Sequence, residues 1–163
     1  MAITKINADA LDMTDVYAFA KPAFHAVLTS NQTVATATVT ILAYGTEIFD
    51  TDGAYDTSTY KFTPQVAGTY LFGASTILQQ ADTKTLHTFI VKNGVAVANN
   101  QFSGVMSFGN LDYAGQAVSG LVVMNGSSDW VACASQHNKG SDNTYAGNST
   151  MNSYHYFWGC RIY

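Results

Sequence analysis

Four histidines, His25, His87, His137 and His155, are the side chains best suited to acid–base or metal chemistry, and they are scattered along the chain. A zinc site gathers three or four ligands at characteristic spacings, and the histidines show no such spacing. Nucleophilic hydrolysis would be signalled by a Gly-x-Ser-x-Gly turn, and phosphate binding by a Gly-rich loop. Neither motif is present. Acidic residues concentrate once, as Asp50, Asp52 and Asp56 around Gly53. Two readings of that cluster stay open. Aspartates in one loop supply the oxygen ligands that calcium takes, and the same side chains cap backbone groups in a solvated turn. Paired carboxylates can also do acid–base work, but nothing else supports a catalytic centre, and no enzyme is expected.

The bulk composition narrows the remaining classes. The 163 residues suit one domain with a substantial core. Charged residues make up 11% of the chain, against about 25% in ordinary soluble proteins. So sparse a charge suits a chain that hides surface in an assembly. A net charge of −4 and seven unclustered Lys and Arg give no footprint for nucleic acid or for a membrane surface. Cys133 and Cys160 each lie in an apolar run and read as buried free thiols. A single disulfide stays open, but no disulfide framework exists. The first ten residues lack a continuous apolar stretch, so no secretory signal is expected. No run approaches the roughly 20 apolar residues of a membrane-spanning helix. The sequons at Asn31 and Asn148 therefore read as chance matches.

The elements that must position these residues are strands. Threonine, valine, tyrosine and phenylalanine dominate, and residues 33–43 alternate Thr, Val and Ala in a β-favouring run. Asn93-Gly94 between Thr88-Phe89-Ile90-Val91-Lys92 and Val95-Ala96-Val97-Ala98 predicts a hairpin, because both central residues of a type I′ turn need positive φ. Asn125-Gly126 marks a second turn. Residues 139–148 read as a polar loop, and residues 8–19 are the best helix candidate, though a short one. Residues 154–163 are apolar on both faces: Tyr154, Tyr156, Trp158, Cys160 and Ile162 on one, His155, Phe157, Gly159, Arg161 and Tyr163 on the other. An antiparallel strand with one wet face would not read this way. The second cover is either the chain's own domain or another copy of it.

Particular residues carry a resemblance. Ala23-Phe24-His25-Ala26-Val27-Leu28 looks like a first strand. Tyr55-Asp56-Thr57-Ser58-Thr59-Tyr60-Lys61-Phe62-Thr63-Pro64 is followed by Gly68-Thr69-Tyr70-Leu71-Phe72. The chain closes on Phe157-Trp158-Gly159-Cys160-Arg161-Ile162-Tyr163. Over nearly all of residues 23–163 this order resembles the globular head of complement component 1q and its relatives in the tumour-necrosis-factor superfamily. The resemblance implies an all-β jelly roll of about ten antiparallel strands, assembled as a homotrimer. It places Tyr154, Tyr156, Trp158 and Ile162 at the subunit interface. Phe62, Tyr70, Phe72, Phe157 and Tyr163 fall in the core. Some such relatives bind calcium near the trimer axis; Asp142 and Asn143 lie in a separate loop and would contribute to an apical site. Thr63 stands where relatives often carry a cysteine, so no disulfide carries over.

Residues 1–22 form a separate leader. Ala2-Ile3-Thr4-Lys5-Ile6-Asn7-Ala8-Asp9-Ala10-Leu11-Asp12-Met13-Thr14-Asp15 resembles the start of bacteriophage virion proteins of the tail-fibre and capsid-decoration type. This implies a virion structural protein made in the host cytoplasm. Its trimeric knob would attach to a capsid or tail protein through Ile3, Ile6, Leu11, Met13, Val16 and Phe19. The alternative is an adhesin whose loops at residues 136–150 bind a host surface glycan or protein, since polar Asn-, Ser- and Tyr-containing loops suit adaptable contacts.

Overall fold

The β-branched and aromatic runs fold as strands wherever alternate side chains can reach a shared core. The computed structural model describes residues 21–81, 85–96, 103–107, 111–145, 147 and 154–163. The attachment residues Ile3, Ile6, Leu11, Met13, Val16 and Phe19 and the candidate helix at 8–19 lie outside the described residues. In chain order the strands are β1 (Ala23–Val27), β2 (Gln32–Val34), β3 (Thr40–Ile41), β4 (Thr46–Asp50), β5 (Tyr55–Asp56), β6 (Lys61–Phe62) and β7 (Gly68–Ala81). They continue with β8 (Thr85–Lys92), β9 (Val95–Ala96), β10 (Ser103–Ser107), β11 (Leu111–Met124), β12 (Val131–His137), β13 (Asn143–Tyr145) and β14 (Tyr156–Arg161). Fourteen described strands exceed the expected count of about ten because several are only two or three residues long.

Two seven-stranded antiparallel sheets face each other. The first runs β2-β13-β7-β14-β1-β4, with β11 on the other side of β7. The second runs β10-β8-β12-β6-β5, with β3 on β12 and β9 on β8. Asn93 and Gly94 have φ of 53° and 82° and close the β8–β9 hairpin, as their sequence predicts. The turn at Asn125-Gly126 joins β11 to β12, which lie in different sheets. The 33–43 run breaks at Ala37, whose φ is 56°, and contributes β2 and β3 separately. The expected 139–148 loop contains β13, which pairs with β2 and touches β7 at Leu78.

The core between the sheets is largely aromatic. Phe24 stacks on Phe62 at 4.5 Å and on Tyr55 at 4.8 Å, and meets Phe157 edge-on at 4.9 Å. Such pairs add about 0.5–1.5 kcal/mol beyond area burial. Phe62, Tyr70, Phe72 and Phe157 are fully buried. Gly159 faces this cluster because a Cβ there would come 2.4 Å from Phe72 Cδ1 and 2.9 Å from Phe24 Cε1. The expectation that Tyr163 belongs to the core is corrected: its side chain is 74% exposed. The fold uses its backbone instead, since the Thr69 N–H donates to the Tyr163 carbonyl at 2.8 Å. The ring lies past the end of β14 and has no layer above it to enter.

Polar groups inside the core are mostly paired, as desolvation requires. Thr76 and Thr88 share a 2.8 Å hydroxyl contact, Ser135 and Tyr145 one of 2.7 Å, and Tyr44 Oη donates to the Ser75 carbonyl. Cys133 is buried beside Tyr44 Oη and free, and Cys160 is also free but only half-buried. His155 is fully buried, and its Nδ1 accepts from the Ile77 N–H at 3.3 Å. Among the described residues its Nε2 has no partner, and burial lowers its pKa to about 4.

Candidate assembly face

Strand pleating turns alternate residues of the first sheet away from the core. Register lines them up across five strands. One row is Phe49 on β4, His25 on β1, Trp158 on β14, Gly73 on β7 and Ser119 on β11. The next row is Ala23, Cys160, Leu71 and Leu121 on four of the same strands. Tyr156 flanks Trp158 two residues earlier on β14. Trp158 lies over Gly73, where an added Cβ would sit 2.4 Å from the indole Cε2. Only glycine lets the indole lie down on the sheet there. The His25 ring stands edge-on to Phe49 at 6.1 Å and to Tyr156 at 6.2 Å. Partial burial among these rings lowers the His25 pKa.

Two depressions lie on either side of Trp158. One, about 260 Å³, is lined by Gly73, Ala117, Ser119 and Tyr156. The other, about 310 Å³, is lined by Ala23, His25, Phe49 and Cys160. Phe49 and Leu121 are each 48% exposed on this face, and Val123 is 67% exposed. A contiguous apolar face of this kind on a soluble domain marks a contact surface. A central tryptophan, flanked by a tyrosine and bounded by hollows, has the character of an interface anchor. Among the described residues of the face no hydrogen bond links the Cys160 thiol to the His25 imidazole, and no carboxylates converge. Its chemistry is desolvation of large rings.

A family model described as the C1q domain matches residues 23–154, most of the chain. The chain belongs to the C1q domain family. A sequence comparison with curated proteins returned no match. Among solved structures, murine APRIL at pH 8.0 superposes with a TM-score of 0.65 at 10% identity, covering 88% of this chain and 100% of that one. The globular domain of a zebrafish complement 1qA protein gives 0.56 at 19% identity, covering 87% and 98%. The Eiger TNF of S. frugiperda gives 0.54 at 8% identity, covering 88% and 92%. At these identities the likeness is one of fold: an all-β, antiparallel jelly roll of the tumour-necrosis-factor type.

In this C1q domain the residues expected at a subunit interface all lie on or beside the outward face. Tyr156 and Trp158 are half-buried in the single chain, while Tyr154 and Ile162 are 53% and 42% exposed. His25, Phe49, Leu71 and Leu121 belong to the same face and were missed by sequence reasoning. Each looks ordinary in its own strand, and only sheet register brings them together.

Two of the three aspartates read as calcium ligands, Asp50 and Asp56, have protein partners for their carboxylates. Among the described residues no three His, Cys, Asp or Glu side chains gather as a metal site. Asp50 accepts from the Tyr55 N–H at 2.6 Å and the Asp52 N–H at 3.2 Å. Asp56 accepts from the Ser58 N–H at 2.7 Å and from the hydroxyls of Ser58 and Thr59. Those hydrogen bonds, led by Ser58, lower its pKa to about 2. Both carboxylates therefore cap their own turns. Asp52 is exposed and meets Asp50 only through its N–H. Asn143 is buried in β13, and its amide donates to the Gln79 carbonyl at 2.6 Å. Asp142 beside it is exposed.

Proposed function

We propose that this C1q domain is a non-enzymatic structural subunit that assembles as a homotrimer through the Trp158 face. In this reading residues 1–22 hold the resulting knob on a bacteriophage capsid or tail. The observation that carries the assembly is the outward apolar face, in register across β4, β1, β14, β7 and β11. Tyr154, Tyr156, Trp158 and Ile162 supply the β14 contribution to the interface. The virion assignment is supported by the likeness of residues 2–15 to virion proteins. Three arms on one trimer would give avidity, because each later contact is effectively intramolecular. An arm that orders on docking loses conformational entropy at that step.

Light scattering on a sizing column tests the assembly with the full-length chain. A mass three times 17.5 kDa is expected, and a monomer at all concentrations overturns the reading. Removing residues 1–22 should leave the trimer intact and abolish attachment to particles. Truncated protein that still decorates particles would refute the role of the arm.

A further inference from the structure

A third depression lies away from the assembly face. Its volume is about 410 Å³, within the range of small-molecule sites. Thr29, Ser30 and Asn31 with Gln32 at the start of β2 form one wall, and Ala43 and Gly45 with Thr46 at the start of β4 form the other. Tyr60, from the segment between β5 and β6, contributes an aromatic ring. The walls are stapled together. Gln32 Nε2 donates to the Ile41 carbonyl at 3.1 Å, and its Oε1 accepts from the Ala43 N–H at 2.8 Å. The Thr29 and Thr46 hydroxyls meet at 2.8 Å.

Those bonds leave a particular set of groups available. Asn31 Oδ1 accepts from the Gly147 N–H at 3.0 Å, which fixes the amide, and among the described residues its Nδ2 has no partner. The hydroxyls of Ser30 and Tyr60 make no hydrogen bond among the described residues. Tyr60 has φ of 61°, secured by its N–H donating to the Asp56 carbonyl at 2.7 Å. A bulky residue in that region is an outlier, and such strain gathers at ligand sites. Residue 45 is glycine, so the space beside the Tyr60 ring edge stays open; a Cβ there would lie 3.6 Å from Cε1. Among the described residues no carboxylate, amine, guanidinium or imidazole lines the depression.

We propose that this depression binds a neutral saccharide, with Tyr60 as the stacking ring and Ser30 and Asn31 as hydrogen-bonding groups. An uncharged site of mixed polarity recognises a ligand that is itself uncharged and presents hydroxyls on an apolar ring face. The site lies past the end of β1, opposite Ala23, where the leader enters. It is distinct from the Trp158 face and stands whether or not the chain trimerises. Assembly would present three such sites and raise a weak single-site affinity through avidity.

The test is NMR titration of the full-length, isotope-labelled protein with galactose, glucose, mannose, N-acetylglucosamine and N-acetylgalactosamine. At least one sugar is expected to bind with a Kd on the order of millimolar, shifting the amides of Ser30, Asn31, Gly45 and Tyr60. Tyr60→Asn removes the ring with a residue that tolerates positive φ, and should weaken binding about tenfold, the size of a lost stacking contact. Ser30→Ala, which disturbs no internal bond, should weaken it severalfold and decides the matter if the Tyr60 variant melts early. Trp158→Ala should leave binding unchanged even if it dissociates the trimer. The proposal is overturned if no sugar binds at about 100 mM, if both pocket variants bind as the wild type does, or if Trp158→Ala abolishes binding.

Discussion

Gly73→Ala isolates the assembly face from the rest of the fold. The new methyl would sit 2.4, 2.5 and 2.6 Å from three atoms of the Trp158 indole. Carbon atoms settle about 3.5–4.0 Å apart, so the indole must withdraw by roughly 1–1.5 Å. Trp158 is half-buried and open to the outside, so it can swing outward without disturbing the core. The cost to the fold should fall at the low end of overpacking, about 1 kcal/mol. The cost to assembly should be larger. A displaced central tryptophan forfeits about 2 kcal/mol or more of interface free energy, which is about thirtyfold in association. Sedimentation equilibrium over a dilution series, with thermal melts of the same samples, measures both quantities. The double variant with Trp158→Ala should associate no more weakly than Trp158→Ala alone, because the clash has lost its partner. A Gly73→Ala protein that assembles and melts like the wild type would refute the placement of the indole. Full additivity in the double variant would refute the steric mechanism.

Three further outcomes follow from the core and the turns. Phe72→Ala should cost about 3–5 kcal/mol in urea unfolding through the cavity it leaves, since its ring touches those of Phe62, Tyr70 and Phe157; an unchanged midpoint would remove it from the core. Burial holds His155 neutral in the fold down to about pH 4, against an ordinary value of 6.5. Between those values the unfolded chain takes up a proton that the folded chain refuses, so stability should fall as pH drops from 6.5 towards 4, by on the order of 3 kcal/mol. Urea melts at pH 7 and pH 4.5 should show that loss in the wild type, with a smaller loss in His155→Asn, whose amide oxygen can still accept from Ile77. Exhaustive chelation should leave the melting temperature unchanged, because the Asp50 and Asp56 carboxylates already cap their turns; a drop reversed by added calcium would support the metal reading.

What the sequence made legible was local or periodic. Asn93-Gly94 specified its hairpin because few residue pairs accept two positive φ values in a row. The alternation from Tyr154 to Ile162 sorted the two faces of β14 because side chains alternate strictly along a strand. The failures share a cause as well. Asn143 and Tyr145 sit among polar, turn-favouring neighbours, and β13 exists only because β2 and β7 offer it hydrogen-bonding edges. Tyr163 continues the alternation one step beyond the layer that could bury it. The depression at Tyr60 joins three connections far apart in the chain, and no spacing along one segment could announce it.

The position of β14 bears on how the chain is made. It lies between β7 and β1 in the middle of the first sheet, and its Phe157 closes the ring cluster around Phe24. Until residues 156–161 emerge from the ribosome, β1 has no neighbour on that side, and Phe24 and Phe72 lack the ring that caps them. Long-range pairing of this kind is slow, and open strand edges invite misassociation. The nascent domain therefore cannot mature in stages from its amino-terminal end. It stays an open, aggregation-exposed sheet until β14 is free to pair with β1 and β7, and a chain cut short of Tyr156 has nothing to close it.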